Sequence, residues 1–273
     1  MPDAGDNPVL DTFIVGAGGP GDEGREIAVR RRAGRGPGLV WLGGFKSDME
    51  GGKAVALDRW AGENGYACTR FDYSGLGSSG GAFEGGTISM WLEESLAVIR
   101  RFTEGPQILV GSSMGGWIAL LAARALREAG EGDLLAGMVL IAPAVNMTEE
   151  LMWKRFDGAA RAELAATGAF RRPSAYSDEP YVITKALIED GRMHLIGDGP
   201  LETGCPVHVL QGMKDEDVPW SHATALMERF AHDDAVLTLV ADGDHRLSRP
   251  EDIERLTRTV EGLIGRHAGG GGR

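Results

Sequence analysis

The sequence predicts an α/β protein, with an eight-stranded and mostly parallel sheet flanked by helices. Three observations carry this. Short apolar runs alternate with longer segments whose apolar residues recur every three or four positions, the pattern of strands joined by crossover helices. Apolar side chains make up 42% of the 273 residues, enough to bury the core of one large domain. Glycine is in excess, at 42 residues, about twice the usual share. It follows no Gly-X-Y period, so the excess reads as many tight loops.

In chain order, Thr12–Val15 and Glu26–Arg31 are strands on either side of a turn, Gly16-Ala17-Gly18-Gly19-Pro20-Gly21. Strand Leu39–Leu42 leads through a Gly43-Gly44 loop to helix Lys53–Asn64. Strand Ala67–Asp72 leads through a glycine-rich loop to helix Ser89–Thr103, and Gln107–Val110 runs directly into helix Met114–Ala129. Strand Gly137–Ala142 precedes a break in the rhythm. Residues 146–203 hold helical material, Glu149–Ala166 and Tyr181–Glu189, but no strand pattern, and read as a helical lid inserted within a single domain spanning 1–273. Strand Val207–Gln211, helix Trp220–Phe230, strand Val236–Ala241 and helix Pro250–Gly265 complete the fold. Pro250 suits a helix start, where its missing N–H would be unpaired anyway. The run Gly269–Arg273 reads as a frayed tail. Within the insertion, Trp153, Phe156, Phe170 and Tyr176 have two readings. Either they pack the insertion on the body, or they line a pocket, which makes Trp153, Phe156 and Tyr176 candidate substrate-binding residues.

With 28 basic and 40 acidic side chains the formal charge is −12. That argues against a nucleic-acid or anionic-membrane binder, since both need clustered positive charge. No uncharged apolar run reaches the roughly 18 residues of a membrane span. Cys68 and Cys205 are too few for a disulfide scaffold and are not spaced as metal ligands, which favours a reduced, cytoplasmic setting. Residues 1–8 are acidic and carry no secretory or mitochondrial address. The expected partner is a small-molecule or acylated substrate.

Three glycine patterns compete for the chemistry. The 16–21 run fits a dinucleotide fingerprint by letters, but a strand follows it and no helix N-terminus waits for a pyrophosphate. Gly75-Leu76-Gly77-Ser78-Ser79-Gly80 follows a strand, yet no helix begins until about Ile88. Gly111-Ser112-Ser113-Met114-Gly115-Gly116 has a strand running straight in and a helix running straight out, the context of a nucleophile elbow. Ser113 is its centre; Ser112 lies one position off.

A serine hydroxyl needs a base, and the base needs an orienting acid; in this arrangement they follow in the order serine, acid, histidine at successive strand ends. Of six histidines only His245 sits on a loop directly after a late strand. His222 falls within a helix and reads as exposed, His208 as packed within a strand, and His194, His232 and His267 as loop or surface residues. Asp215, three residues after Gly212, is the better acid. Its rival Asp217 reads as a cap or first-turn acid of the next helix, and Asp242 and Asp244 are weaker. Oxyanion donors are expected from the backbone N–H groups of Met114 and, in the Gly43-Gly44 loop, Phe45.

These residues resemble the α/β-hydrolase superfamily, and more narrowly the family of the mitochondrial acyl-protein thioesterase and acyl-glucuronide esterase. The resemblance rests on Gly44-Phe45-Lys46-Ser47-Asp48-Met49, Arg70-Phe71-Asp72-Tyr73-Ser74-Gly75, the stretch from Gly105 to Trp117, Pro173-Ser174-Ala175-Tyr176-Ser177, Gly212-Met213-Lys214-Asp215 with Val218-Pro219-Trp220, and Asp244-His245-Arg246. It implies an α/β-hydrolase fold, Ser113 as nucleophile, Asp215 as acid, His245 as base, a lid, and hydrolysis of esters or thioesters without metal or cofactor. One departure is Gln211-Gly212, where the family has His-Gly; Gln211 is outside the triad and reads as neutral for the chemistry. Other chemistries open to the same fold are C–C hydrolysis and peptide hydrolysis. A binding module that keeps the elbow only as a turn is the alternative from another class.

Overall fold

A computed structural model describes residues 8–16, 23–172, 181–230 and 233–270. Strands β1 (Val9–Val15), β2 (Arg25–Arg32) and β3 (Arg35–Leu42) are followed by helix α1 (Gly52–Asn64), strand β4 (Tyr66–Phe71) and helix α2 (Ile88–Phe102). Strand β5 (Gln107–Ser112), helix α3 (Met114–Glu128) and strand β6 (Leu135–Ile141) form the middle of the chain. After the inserted segment come β9 (Val207–Gly212), α6 (Trp220–Met227), β10 (Ala235–Val240) and α7 (Pro250–Gly270). The main sheet has eight strands in the order β1-β2-β4-β3-β5-β6-β9-β10. β2 pairs antiparallel with β1 and with β4, and the remaining neighbours are parallel. All eight predicted strands are present, with their ends displaced by at most four residues.

The sheet is covered on both faces, which explains the unbroken apolar runs of its central strands. Val40, Leu42, Leu109, Met138 and Leu140 pack with α2, α3 and α6. Their strand neighbours Leu39, Trp41, Ile108, Val110, Val139 and Ile141 point the other way, against α1 and α7. Alternation along a strand thus feeds two cores at once. Helix α3 is enclosed, with every residue from Trp117 to Ala123 at 0–1% exposure.

The inserted segment is where expectation and structure part. It holds a π-helical turn (Thr148–Met152), a 3₁₀ turn (Trp153–Arg155), helix α4 (Gly158–Thr167), strands β7 (Ala169–Arg172) and β8 (Tyr181–Thr184), and helix α5 (Lys185–Met193). The strands form a separate antiparallel pair, so the segment is not purely helical. Tyr181-Val182-Ile183-Thr184 has strong strand character, and Thr184 stops the strand by capping α5, accepting from the Leu187 N–H at 3.1 Å. Asp157 does the same for α4 by accepting from Ala160, which breaks the predicted 149–166 helix. Helix α7 continues five residues beyond the predicted end, into the stretch read as a tail. The 16–21 turn lies outside the described residues apart from Gly16. Among the described residues no helix is long and apolar enough to cross a membrane.

One buried polar knot holds the N-terminal half in place. Glu94, fully buried on α2, accepts from Ser74 N (3.0 Å), Ser74 Oγ (2.7 Å) and Arg25 Nε (2.7 Å), joining β2, α2 and the loop after β4. Burial pushes the Glu94 carboxyl up, and these donors oppose the shift. Glu94→Ala orphans all three donors and should cost about 3 kcal/mol in chemical denaturation. Glu150→Ala, which removes an exposed i,i+4 pair with Lys154, should stay within about 0.5 kcal/mol.

Candidate active site

Ser113 stands between β5 and α3 with φ 54° and ψ −117°. A side chain in the positive-φ region is strained, and hydrogen bonds hold it there: Ser113 N donates to Ile141 O at 2.8 Å, while Gly116 N and Ala144 N donate to Ser113 O at 2.9 and 3.0 Å. The glycines are steric necessities. A Cβ on Gly111 would lie 2.4 Å from Gly115 O, and one on Gly115 would lie 2.0 Å from Leu42 O. The second contact brings the elbow against the end of β3, so the loop carrying Phe45 starts beside Ser113. A Cβ on Gly44 would be 3.4 Å from that of Ser113. The far end of the loop is fixed by Asp72, whose Oδ1 accepts from Met49 N at 2.6 Å. Met114 opens α3, so its N–H has no partner within the helix, and the dipole of α3 adds positive potential there.

Ser113, His245 and Asp215 lie in one hydrogen-bonded line. His245 Nε2 is 3.1 Å from Ser113 Oγ, and His245 Nδ1 is 2.8 Å from Asp215 Oδ2. The Asp215 side chain is fully enclosed and that of His245 is 18% exposed. The other Asp215 oxygen accepts from the N–H groups of Asp217 and Val218 at 2.9 and 2.8 Å. The loops bearing Asp215 and His245 are stitched by Met213 N to Val240 O and Lys214 N to Gly243 O, both 2.9 Å. They touch where a Cβ on Gly212 would meet Gly243 O at 2.4 Å.

The rival acids have other work. Asp242 pairs with Arg249, and Asp244 accepts from Leu247 N. Asp217 does not cap α6, whose cap position is Pro219 without a side-chain bond. Ser112 is buried at the end of β5. His222 is half-buried, not exposed, with Nε2 2.9 Å from Val145 O in the segment after β6. His208 meets Thr238 Oγ1 within the sheet, His194 meets Ser89 Oγ, and His267 is exposed on α7; His232 lies outside the described residues. Asp215, Asp217 and His245 bring ligand-type atoms within 4.8 Å of one another, but both His245 nitrogens already face Asp215 and Ser113.

Two contacts had no sequence signal beyond position. Gln211 Nε2 donates to Asp215 Oδ2 at 3.1 Å. Lys53, at the start of α1, donates to the Arg246 carbonyl next to His245. Of the insertion aromatics, Trp153 lies between the guanidinium groups of Arg161 and Arg192, each 4.9 Å from its ring. Phe156 packs edge-on to Phe170 at 5.0 Å. These contacts favour the packing reading for both, and Tyr176 is outside the described residues. The insertion reaches the Phe45 loop through Tyr181, 6.0 Å from the Phe45 ring, beside Phe83 at 4.9 Å.

The profile of the Alpha/beta hydrolase family matches residues 36–256. The mitochondrial palmitoyl-protein thioesterase ABHD10 of Pongo abelii is 36% identical over 242 residues, which cover 87% of this chain and 76% of that protein. Its Homo sapiens counterpart is 34% identical over 239 residues, with the same coverage. Among solved structures, a chain from Agrobacterium vitis S4 superposes with a TM-score of 0.90 and 49% identity, covering 95% of this chain and 100% of that one. Mouse alpha/beta hydrolase domain-containing protein 10 gives 0.82 and 33%, covering 94% and 99%. The ABHD10 names specify mitochondria, in contrast to the cytoplasmic setting expected from the two cysteines of this chain.

Gly115→Ala should destabilise the fold by about 3 kcal/mol or more, because the obstruction is backbone and cannot rotate away. Gly52→Ala, with nothing within 4 Å, should leave Tm unchanged or slightly higher. Burial pushes the Lys53 ammonium down to about 8, against about 10.4 in an unfolded chain. Between those values the unfolded state holds more protons, so the contribution of Lys53 to stability rises with pH. The Tm difference between the parent and Lys53→Met should therefore grow in the parent's favour from pH 7.5 to pH 10, and a flat difference would contradict it.

Proposed function

The chain belongs to the alpha/beta hydrolase family and is a hydrolase, and we propose that it cleaves carboxylic esters or acyl thioesters by way of Ser113, Asp215 and His245. The observation that carries the reading is the line from Ser113 Oγ through His245 to Asp215, at 3.1 and 2.8 Å. His245 takes the Ser113 proton as Oγ attacks the acyl carbonyl, and Asp215 orients the ring and balances its charge. The Phe45 and Met114 N–H groups are assigned to the oxyanion. The tetrahedral intermediate collapses, His245 protonates the departing alcohol or thiol, and the acyl group stays on Ser113. Water then gives its proton to His245 and attacks the acyl-enzyme; collapse releases the acid and returns the proton to Ser113. Every step uses side chains and backbone of this chain.

The palmitoyl-protein thioesterase names of the relatives support a long-chain acyl thioester among the substrates. In this reading the inserted segment is a lid, and the rings of Phe45, Phe83 and Tyr181 form one wall of the acyl site. Trp153 and Phe156 hold the lid together.

Ser113→Ala should abolish turnover of p-nitrophenyl esters and acyl thioesters, together with labelling by a fluorophosphonate probe. Labelling at the parental rate would sink the assignment. Across a series of acyl lengths on oxygen and sulfur esters, kcat/KM should rise with chain length, by up to about fourfold per methylene buried. A flat series would remove the apolar acyl site. Turnover confined to aminopeptidase substrates would move the reading to peptide hydrolysis.

A further inference from the structure

Gln211 is the side chain of β9 just before Gly212, and it is fully buried. Three oxygens surround its Nε2: Val218 O at 3.0 Å, Gly212 O at 3.1 Å and Asp215 Oδ2 at 3.1 Å. Two are carbonyls and the third belongs to a carboxylate, so the amide presents its NH₂ end to them. The opposite atom, Oε1, is buried and has no hydrogen-bond partner among the described residues. Buried amide oxygens are normally paired, and here that pairing is forgone while the NH₂ group faces the acid.

At Asp215 all the donors converge. Oδ1 takes two backbone N–H groups, and Oδ2 takes both His245 Nδ1 and Gln211 Nε2. The backbone donors and Gln211 come from both sides of the carboxylate and fix its rotation, so Oδ2 faces the ring. Gln211 also divides with His245 the oxygen that orients the base, which limits how strongly that oxygen holds the ring N–H. We infer that Gln211 is a positioning residue of the active site: it locks the Asp215 carboxylate towards His245 and sets the pH range in which His245 serves as base. The inference rests on the Ser113–Asp215–His245 reading. As an amide, Gln211 does this without titrating, so its hold on Oδ2 is the same across the working pH range.

Two substitutions separate this role from a merely structural one, in which Gln211 only ties the Gly212 and Val218 carbonyls of the acid loop. Gln211→Glu keeps the shape and sets a second carboxyl against Oδ2, and carboxyls sharing a site concentrate negative charge beside the ring. Gln211→Met keeps the length and removes the donor, leaving Oδ2 to His245 alone. Both changes favour the protonated ring. The acid limb of kcat/KM for a p-nitrophenyl ester should therefore move to higher pH, by about one unit in Gln211→Glu and by less in Gln211→Met. On the acid side of both limbs, kcat/KM in Gln211→Glu should fall about tenfold, with KM within about twofold. Side-chain nitrogen NMR should show the His245 ring titration moving with the limb. A lower Tm with the limb and the ring titration unmoved in the variants that fold overturns the inference; if Gln211→Glu does not fold, Gln211→Met decides it. The parent and Ser113→Ala are run alongside. Loss of turnover in Ser113→Ala combined with an unmoved limb removes only the role of Gln211, whereas turnover that survives Ser113→Ala removes the serine-hydrolase reading and this inference with it.

Discussion

The site depends on one backbone constraint, a serine held at positive φ in the turn between β5 and α3. No ordinary loop keeps an L-residue there without compensation. Here it comes from hydrogen bonds to the end of β6 and from two glycines that let strand, turn and helix touch. The bare Gly115 contact with the Leu42 carbonyl then sets the distance between the elbow and the Phe45 loop. One steric requirement therefore fixes both the proposed nucleophile and the neighbourhood of its oxyanion donors. Since β5 lies between β3 and β6 in the sheet, both neighbours of the elbow are rigid.

A second set of glycine contacts does the same for Asp215 and His245. β9 and β10 run parallel and end together, so their following loops emerge side by side. Gly212 removes the side chain that would hold those loops apart, and two backbone hydrogen bonds close the gap. His245 can then meet Asp215 across 30 residues of sequence.

Much of this was legible in the sequence because it is local. Small residues between an apolar strand and an apolar helix identify an elbow, and acid and histidine directly after late strands are visible without knowing what they touch. The choice of Asp215 over Asp217 followed from distance to the strand end. The sequence left unread what contacts across the chain decide. His222 has a helical neighbourhood that reads as exposed, while its partner, the Val145 carbonyl, lies 77 residues away in sequence. Gln211 reads as neutral until Asp215 folds back on it four residues later. The β7–β8 pair was missed because Tyr181–Thr184 runs without a turn into α5, so strand and helix merge into one apolar segment. Trp153 kept both a packing and a pocket reading because nothing local shows that the Arg161 and Arg192 guanidinium groups lie over its ring.

The distribution of the hydrogen-bonded line along the chain bears on how the molecule matures. Ser113 and His245 are 132 residues apart, and Asp215 and His245 lie on the loops that follow the last two strands of the sheet. A chain emerging from the ribosome can complete β3, β5, β6 and the elbow while the histidine is still unsynthesised. Its serine is then an ordinary alcohol. In the proposed mechanism Ser113 gains its base only when the C-terminal strands dock, so completion of the fold doubles as its activation step.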